Sequence, residues 1–109
     1  MHGGVVVYRV VTDCYLTSQL GRELTARYPE SIVALVNGVR RLGSAYIYVR
    51  SRRFSLRGVL ERVRSVMRAG GKDKVFVVPC RSNCEEELAE LLPLLSEHCE
   101  ELGGVSDDQ

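Results

Sequence analysis

Apolar positions change their spacing along this chain in a way that separates strands from helices. Val5–Val11 (VVVYRVV) is a nearly continuous β-branched run, the pattern of an interior strand covered on both faces. Thr12 and Asp13 offer turn and cap chemistry, and Leu16, Leu20, Leu24 and Tyr28 then recur at every fourth residue. That stripe predicts a helix from about Leu16 to Arg27, stopped by Pro29, with Gly21 allowing close approach to whatever it packs on. Ser31–Val36 (SIVALV) reads as a second apolar strand. A helix separates it from the first, so the two should be parallel with a right-handed crossover.

The alternation sharpens after Asn37-Gly38 and Gly43, which punctuate a short basic connection. Ala45, Ile47 and Val49 alternate with Tyr46, Tyr48 and Arg50, the signature of a half-buried strand in an antiparallel hairpin with the second. Ser55 is placed to cap a helix carrying Leu56, Val59, Leu60, Val63, Val66 and Met67 at spacings of three and four, and Gly70-Gly71 supply a left-handed stop. Val75–Val78 reads as a fourth strand ended by Pro79. Glu85–Leu102 reads as a last helix, with acids in its first turn and Pro93 predicting a kink or two short helices. The fold class is therefore α/β: one βαββαβα domain over residues 1–102, with a mixed four-stranded sheet, helices packed on it and a flexible C-terminal tail at 103–109.

Charge changes the picture. Arg40–Arg81 holds twelve Arg or Lys against two acids, a net +10, whereas everything from Ser82 onward holds nine acids and no Lys or Arg. A net charge of +1 for the whole chain hides this polarity, and the basic half calls for an anionic partner, most commonly a nucleic-acid backbone. Arginines outnumber lysines thirteen to two, the choice that planar phosphate recognition favours. Arg50, Arg52 and Arg53 cluster where the third strand leaves the sheet, with forks that take phosphate oxygens bidentately. Tyr46 and Tyr48 share a face with Arg50; exposed, they would stack bases, and covered by a helix they would be core. Gly70-Gly71-Lys72 lets backbone approach a phosphate, with Lys74 beside it, although a Gly-Gly after a helix is often only a cap.

Catalysis is not expected. No phosphate-binding G-x-x-x-x-G-K-[ST] loop, G-x-S-x-G elbow or H-E-x-x-H motif occurs, and the histidines are His2 and His98 alone. Cys14, Cys80, Cys84 and Cys99 are too scattered for a secreted disulfide scaffold. A zinc site drawing on Cys80, Cys84 and His98-Cys99 is conceivable, as is a disulfide whose pairing the sequence does not name, but ordinary thiols are the expectation, and no metal or cofactor is assigned. With 45% hydrophobic residues in 109, no long uncharged apolar run and no visible signal peptide, the chain reads as a cytoplasmic globular domain with no membrane partner.

The order strand, helix ending in Tyr28-Pro29-Glu30, apolar strand, hairpin, strand ending in Val49-Arg50-Ser51-Arg52, amphipathic helix and Gly-Gly turn resembles the DHH-associated domain. That is the C-terminal substrate-binding domain of DHH phosphoesterases, including RecJ-type nucleases, and the likeness covers about Val5 to Leu95. Tyr48-Val49-Arg50-Ser51 loosely matches the family's Ser-x-Arg-Ser strand end, and Gly70-Gly71-Lys72 stands where the family has a nucleotide-contacting G-G-H turn. The resemblance implies that Arg50, Ser51, Gly70, Gly71 and Lys72 face nucleic acid. Lys72 replaces the family's histidine, Val75–Val78 replaces its small-residue A-A-G segment, and the metal-binding catalytic domain has no counterpart. The implied protein is thus a non-catalytic relative, similar to archaeal RecJ-like proteins that serve in replisome complexes, with single-stranded DNA or RNA and replication or repair subunits as partners. The alternative is a protein-interaction subunit whose basic segment docks an acidic partner, or the acidic Glu85–Glu101 helix of a second copy in a homodimer.

Overall fold

The structure, a computed structural model, describes residues 4–11, 14–39, 44–81 and 84–103, with the backbone alone described at 14–16, 39, 44 and 100–103. The elements run β1 (Val5–Val10), α1 (Cys14–Arg27), β2 (Ile32–Val39), β3 (Ser44–Ser51), α2 (Arg57–Arg64), β4 (Gly70–Gly71), β5 (Val75–Cys80) and α3 (Glu85–Gly103). They form an α/β domain on one mixed sheet of five strands in the order β1-β2-β3-β5-β4. β1 and β2 are parallel, as a helical crossover requires, and the other pairs are antiparallel. Thr12, Asp13, Gly43 and the tail beyond Gly103 lie outside the described residues.

The period-two pattern of the strands decides the layers. Ile32, Ala34 and Val36 of β2, Ala45, Ile47 and Val49 of β3, and Phe76 and Val78 of β5 face α2 and α3, where Leu56, Val59, Leu60, Val63, Leu88, Leu91 and Leu95 meet them. The other face is thinner: Val33, Leu35 and Tyr48 pack with Leu24 of α1. Among the described residues nineteen buried positions belong to the first cluster and five to the second. At about 1.5–3 kcal/mol for each large buried side chain, most of the stability resides on the α2/α3 side.

Several expectations are revised. The sheet has a fifth strand because Gly70-Gly71 does not stop α2: the helix ends at Arg64 with Ser65 in the right-handed region, and the glycines pair with Val77 and Phe76 of β5. Ser55 is not the N-cap of α2; Leu56 holds that position without a side-chain cap, and the Ser55 hydroxyl donates to Asp73. β1 lies at an edge of the sheet rather than inside it, with Tyr8 and Arg9 exposed. Asn37-Gly38 belongs to β2, where the buried Asn37 amide donates to Thr17 Oγ1 at 2.6 Å and to the Tyr46 hydroxyl at 3.0 Å. β5 continues through Pro79, because β4 reaches only Phe76 and Val77 and leaves that flank open where the missing N–H costs least. α3 is one helix through Pro93; its lost bond frees the carbonyl of Ala89, an exposed residue that water can reach.

Cys80 and Cys84 are joined in a disulfide that ties the end of β5 to the start of α3. With the bridge closed these two sulfurs are neither thiols nor zinc ligands, while Cys99 is buried outside the bridge and its thiol donates to the Gly4 carbonyl at 3.7 Å. No helix among the described residues is long and apolar enough to cross a membrane.

Candidate functional site

β3 leaves the sheet where β5 enters it, with Arg50 opposite Val75 in the antiparallel ladder. Backbone bonds then hold the two loops together. The Ser51 N–H donates to the Lys74 carbonyl at 3.0 Å, and the Leu56 N–H donates to the Asp73 carbonyl at 2.6 Å. The Lys74 ammonium closes the arrangement by donating to the Arg53 carbonyl at 3.0 Å. Two stretches about twenty residues apart in sequence, Arg50–Arg57 and Lys72–Lys74, are in this way fixed side by side at one end of the sheet.

Four of the predicted cations end up in distinct states. Arg52 and Lys72 are exposed, and neither side chain has a partner among the described residues. Arg50 donates to the Tyr48 hydroxyl at 2.9 Å. Arg53 pairs with Glu30 and lies 5.6 Å from the centroid of the Phe54 ring, so part of its charge is already answered. Arg57, the first residue of α2, joins the cluster because Asp73 reaches it at 3.9 Å. Two acids thus stand among six cations (Arg50, Arg52, Arg53, Arg57, Lys72, Lys74), leaving an excess of positive charge that solvent and salt can screen but no further acid among the described residues pairs with.

Other predicted residues have structural tasks. Ser51 is 2% exposed, and its hydroxyl accepts the Phe54 N–H at 2.8 Å, so it shapes the loop instead of facing a ligand. Tyr48 is 8% exposed, with its ring laid on Gly21 of α1, and is not open to a base. Tyr46 is half-buried, its hydroxyl bonded with Thr17 at 2.9 Å. α1 covers this face of β3, which is the covered reading of the two tyrosines. Gly71 is exposed, yet a Cβ there would collide with the Val75 carbonyl and the Phe76 backbone. Gly70 has nothing within 4 Å of where a Cβ would be, and it is exposed. The tight turn after Gly71 is closed by the Lys72 N–H donating to the Val75 carbonyl at 2.7 Å, with Asp73 and Lys74 at its tip and Lys72 exposed where it begins.

Among the described residues no three His, Cys, Asp or Glu side chains converge as metal ligands. What the cluster offers is a set of fixed cations, two of them unengaged, on a rigid frame, suited to anionic oxygens.

No protein-family model matches the chain, and no curated protein does. The DHH-associated resemblance therefore gains no support from sequence comparison. Among solved structures the chain is similar to the C-Ala domain of alanyl-tRNA synthetase from Aquifex aeolicus, with a TM-score of 0.61 at 14% identity, over 87% of this chain and 89% of that one. The α/β fold of this chain is thus one also used as a domain of alanyl-tRNA synthetase.

Proposed function

We propose that this domain binds the phosphate backbone of nucleic acid, without catalysing a reaction, through the basic end formed by Arg50–Arg57 and Lys72–Lys74. The observation that carries the reading is the pair of ties from Lys74 to Ser51 and to Arg53, both 3.0 Å, which gather cations from two distant stretches. Arg52 and Lys72 are the free hands of the cluster, while Arg50, Arg53, Arg57 and Lys74 shape the field around them. The fold shared with a domain of an enzyme named for tRNA points the same way.

Because α1 occupies the Tyr48 ring, recognition rests on phosphates more than on stacked bases. The reading therefore predicts little sequence preference. Single-stranded DNA or RNA, and the backbone of structured RNA, are the ligand classes that fit. A place in a replication or repair complex rests on the DHH-associated resemblance, and preference for single-stranded DNA over structured RNA would support it.

The test is fluorescence anisotropy with labelled single-stranded DNA, single-stranded RNA and an RNA hairpin at several salt concentrations. For single strands the logarithm of affinity should fall against the logarithm of salt with a slope of about 0.7 per phosphate contact. An Arg52→Ala, Lys72→Ala double variant should bind more weakly and with a shallower slope. Unchanged affinity and slope in that variant would remove this end of the sheet from the interface.

A further inference from the structure

At the opposite end of the sheet lies a groove of about 960 Å³ between the segment that follows α2 and the first turns of α3. Its rims have opposite charge. Arg64, at the end of α2, and Arg68 line one side; Glu86, Glu87 and Glu90 of α3 line the other, with Arg81 beside them as a single cation, and Val66 and Met67 add apolar surface. Val66 is 58% exposed, one of the few large apolar side chains in water among the described residues. Arg68, Glu86 and Glu90 are exposed and without partners among the described residues, and no ion pair crosses the groove within the chain. Opposite charges that line one groove beside exposed apolar surface, unpaired with each other among the described residues, offer complementary contacts to a molecule that carries both signs.

We infer that a second copy of this chain occupies the groove, in a two-fold dimer whose axis lies along it. A rotation of that kind sets the basic rim of each copy over the acidic rim of the other. Arg64 and Arg68 then meet the partner's Glu86 and Glu90 twice, and the two Val66 side chains meet near the axis. This is the self-complementarity that an isologous interface demands. A lone basic or acidic peptide would satisfy one rim and be repelled by the other; an identical copy satisfies both. The polarity of the chain, basic before Arg81 and acidic after it, acquires a structural meaning here, because its two halves supply the two rims. The interface lies away from the basic end described above and does not depend on it.

Sedimentation equilibrium of the native chain over a range of concentrations and salt should show a monomer–dimer equilibrium that shifts toward monomer as salt rises. Arg68→Glu alone and Glu90→Lys alone should each raise the dissociation constant about tenfold or more, since every substitution acts twice across the axis. The double variant carrying both reversals should dimerise again, and that recovery distinguishes a broken contact from a broken fold. A native chain that stays monomeric at every concentration and salt would overturn the inference. So would a dimer indifferent to both reversals, or a double variant no better than the singles.

Discussion

The ring of Tyr48 lies on the bare backbone of Gly21, so closely that a Cβ at Gly21 would come within 2.5 Å of Tyr48 Cε1. This contact seats α1 against the sheet and withdraws Tyr48 from solvent. Gly21→Val should overpack the interface and cost about 1–3 kcal/mol in denaturant unfolding. Because the Tyr48 hydroxyl accepts from Arg50 at 2.9 Å, displacing the ring should release Arg50, and nucleic-acid affinity measured well below the unfolding transition should change less than in the Arg52→Ala, Lys72→Ala variant.

If the proposed interface is right, Ser51 and Lys72 should separate building the site from touching the ligand. Ser51→Ala leaves the buried Phe54 N–H without its acceptor and should lower stability by about 1–2 kcal/mol. Lys72→Ala removes an exposed, unpartnered ammonium and should leave stability within about 0.5 kcal/mol of the native chain while weakening binding. Chemical denaturation and anisotropy on both variants check the contrast. Equal losses of stability would show that Lys72 is a structural residue.

The two adjacent glycines should differ. Gly71→Ala forces a Cβ into the Val75 carbonyl and the Phe76 backbone, atoms held by the β4–β5 ladder, and should detach β4 or cost about 1–3 kcal/mol. Gly70→Ala meets open space and should change stability by no more than about 0.5 kcal/mol. Thermal melts of the two variants side by side decide it.

Reduction should weaken the fold modestly. The Cys80–Cys84 bridge closes a very short loop, for which the chain-entropy estimate is about 2 kcal/mol. Urea titration with and without dithiothreitol should show a lower midpoint in the reductant, and the Cys80→Ser, Cys84→Ser double variant should be insensitive to it. A reductant effect that persists in the double variant would place its origin elsewhere.

The parts of this fold that sequence made legible are those where a side-chain period meets a solid core. Ala45, Ile47 and Val49 face α2 and α3, while Tyr46 and Tyr48 face α1, as their alternation requires. The fifth strand was not legible, because two glycines have no side-chain pattern to read and only the ladder to Val77 and Phe76 defines them. The run at β1 suggested an interior strand, since β-branched residues suit an edge strand equally well and the sheet order is a tertiary fact. In the candidate site, the charge excess was visible and its division was not. Which cation is free depends on Glu30 and Asp73, whose reach to Arg53 and Arg57 is set by the folded backbone.

The bond from Ser51 to Lys74 makes the basic end a clasp between two strands. Its halves come from chain segments that meet only once β3 and β5 have paired, so any opening of that pair also takes the cations apart. An anion spanning Arg52 and Lys72 would oppose the opening by a free energy that grows with the logarithm of its concentration over its dissociation constant. Hydrogen exchange at the Ser51 amide should then slow as ligand is added, and the mechanical seam of the sheet would report on the occupancy of its surface.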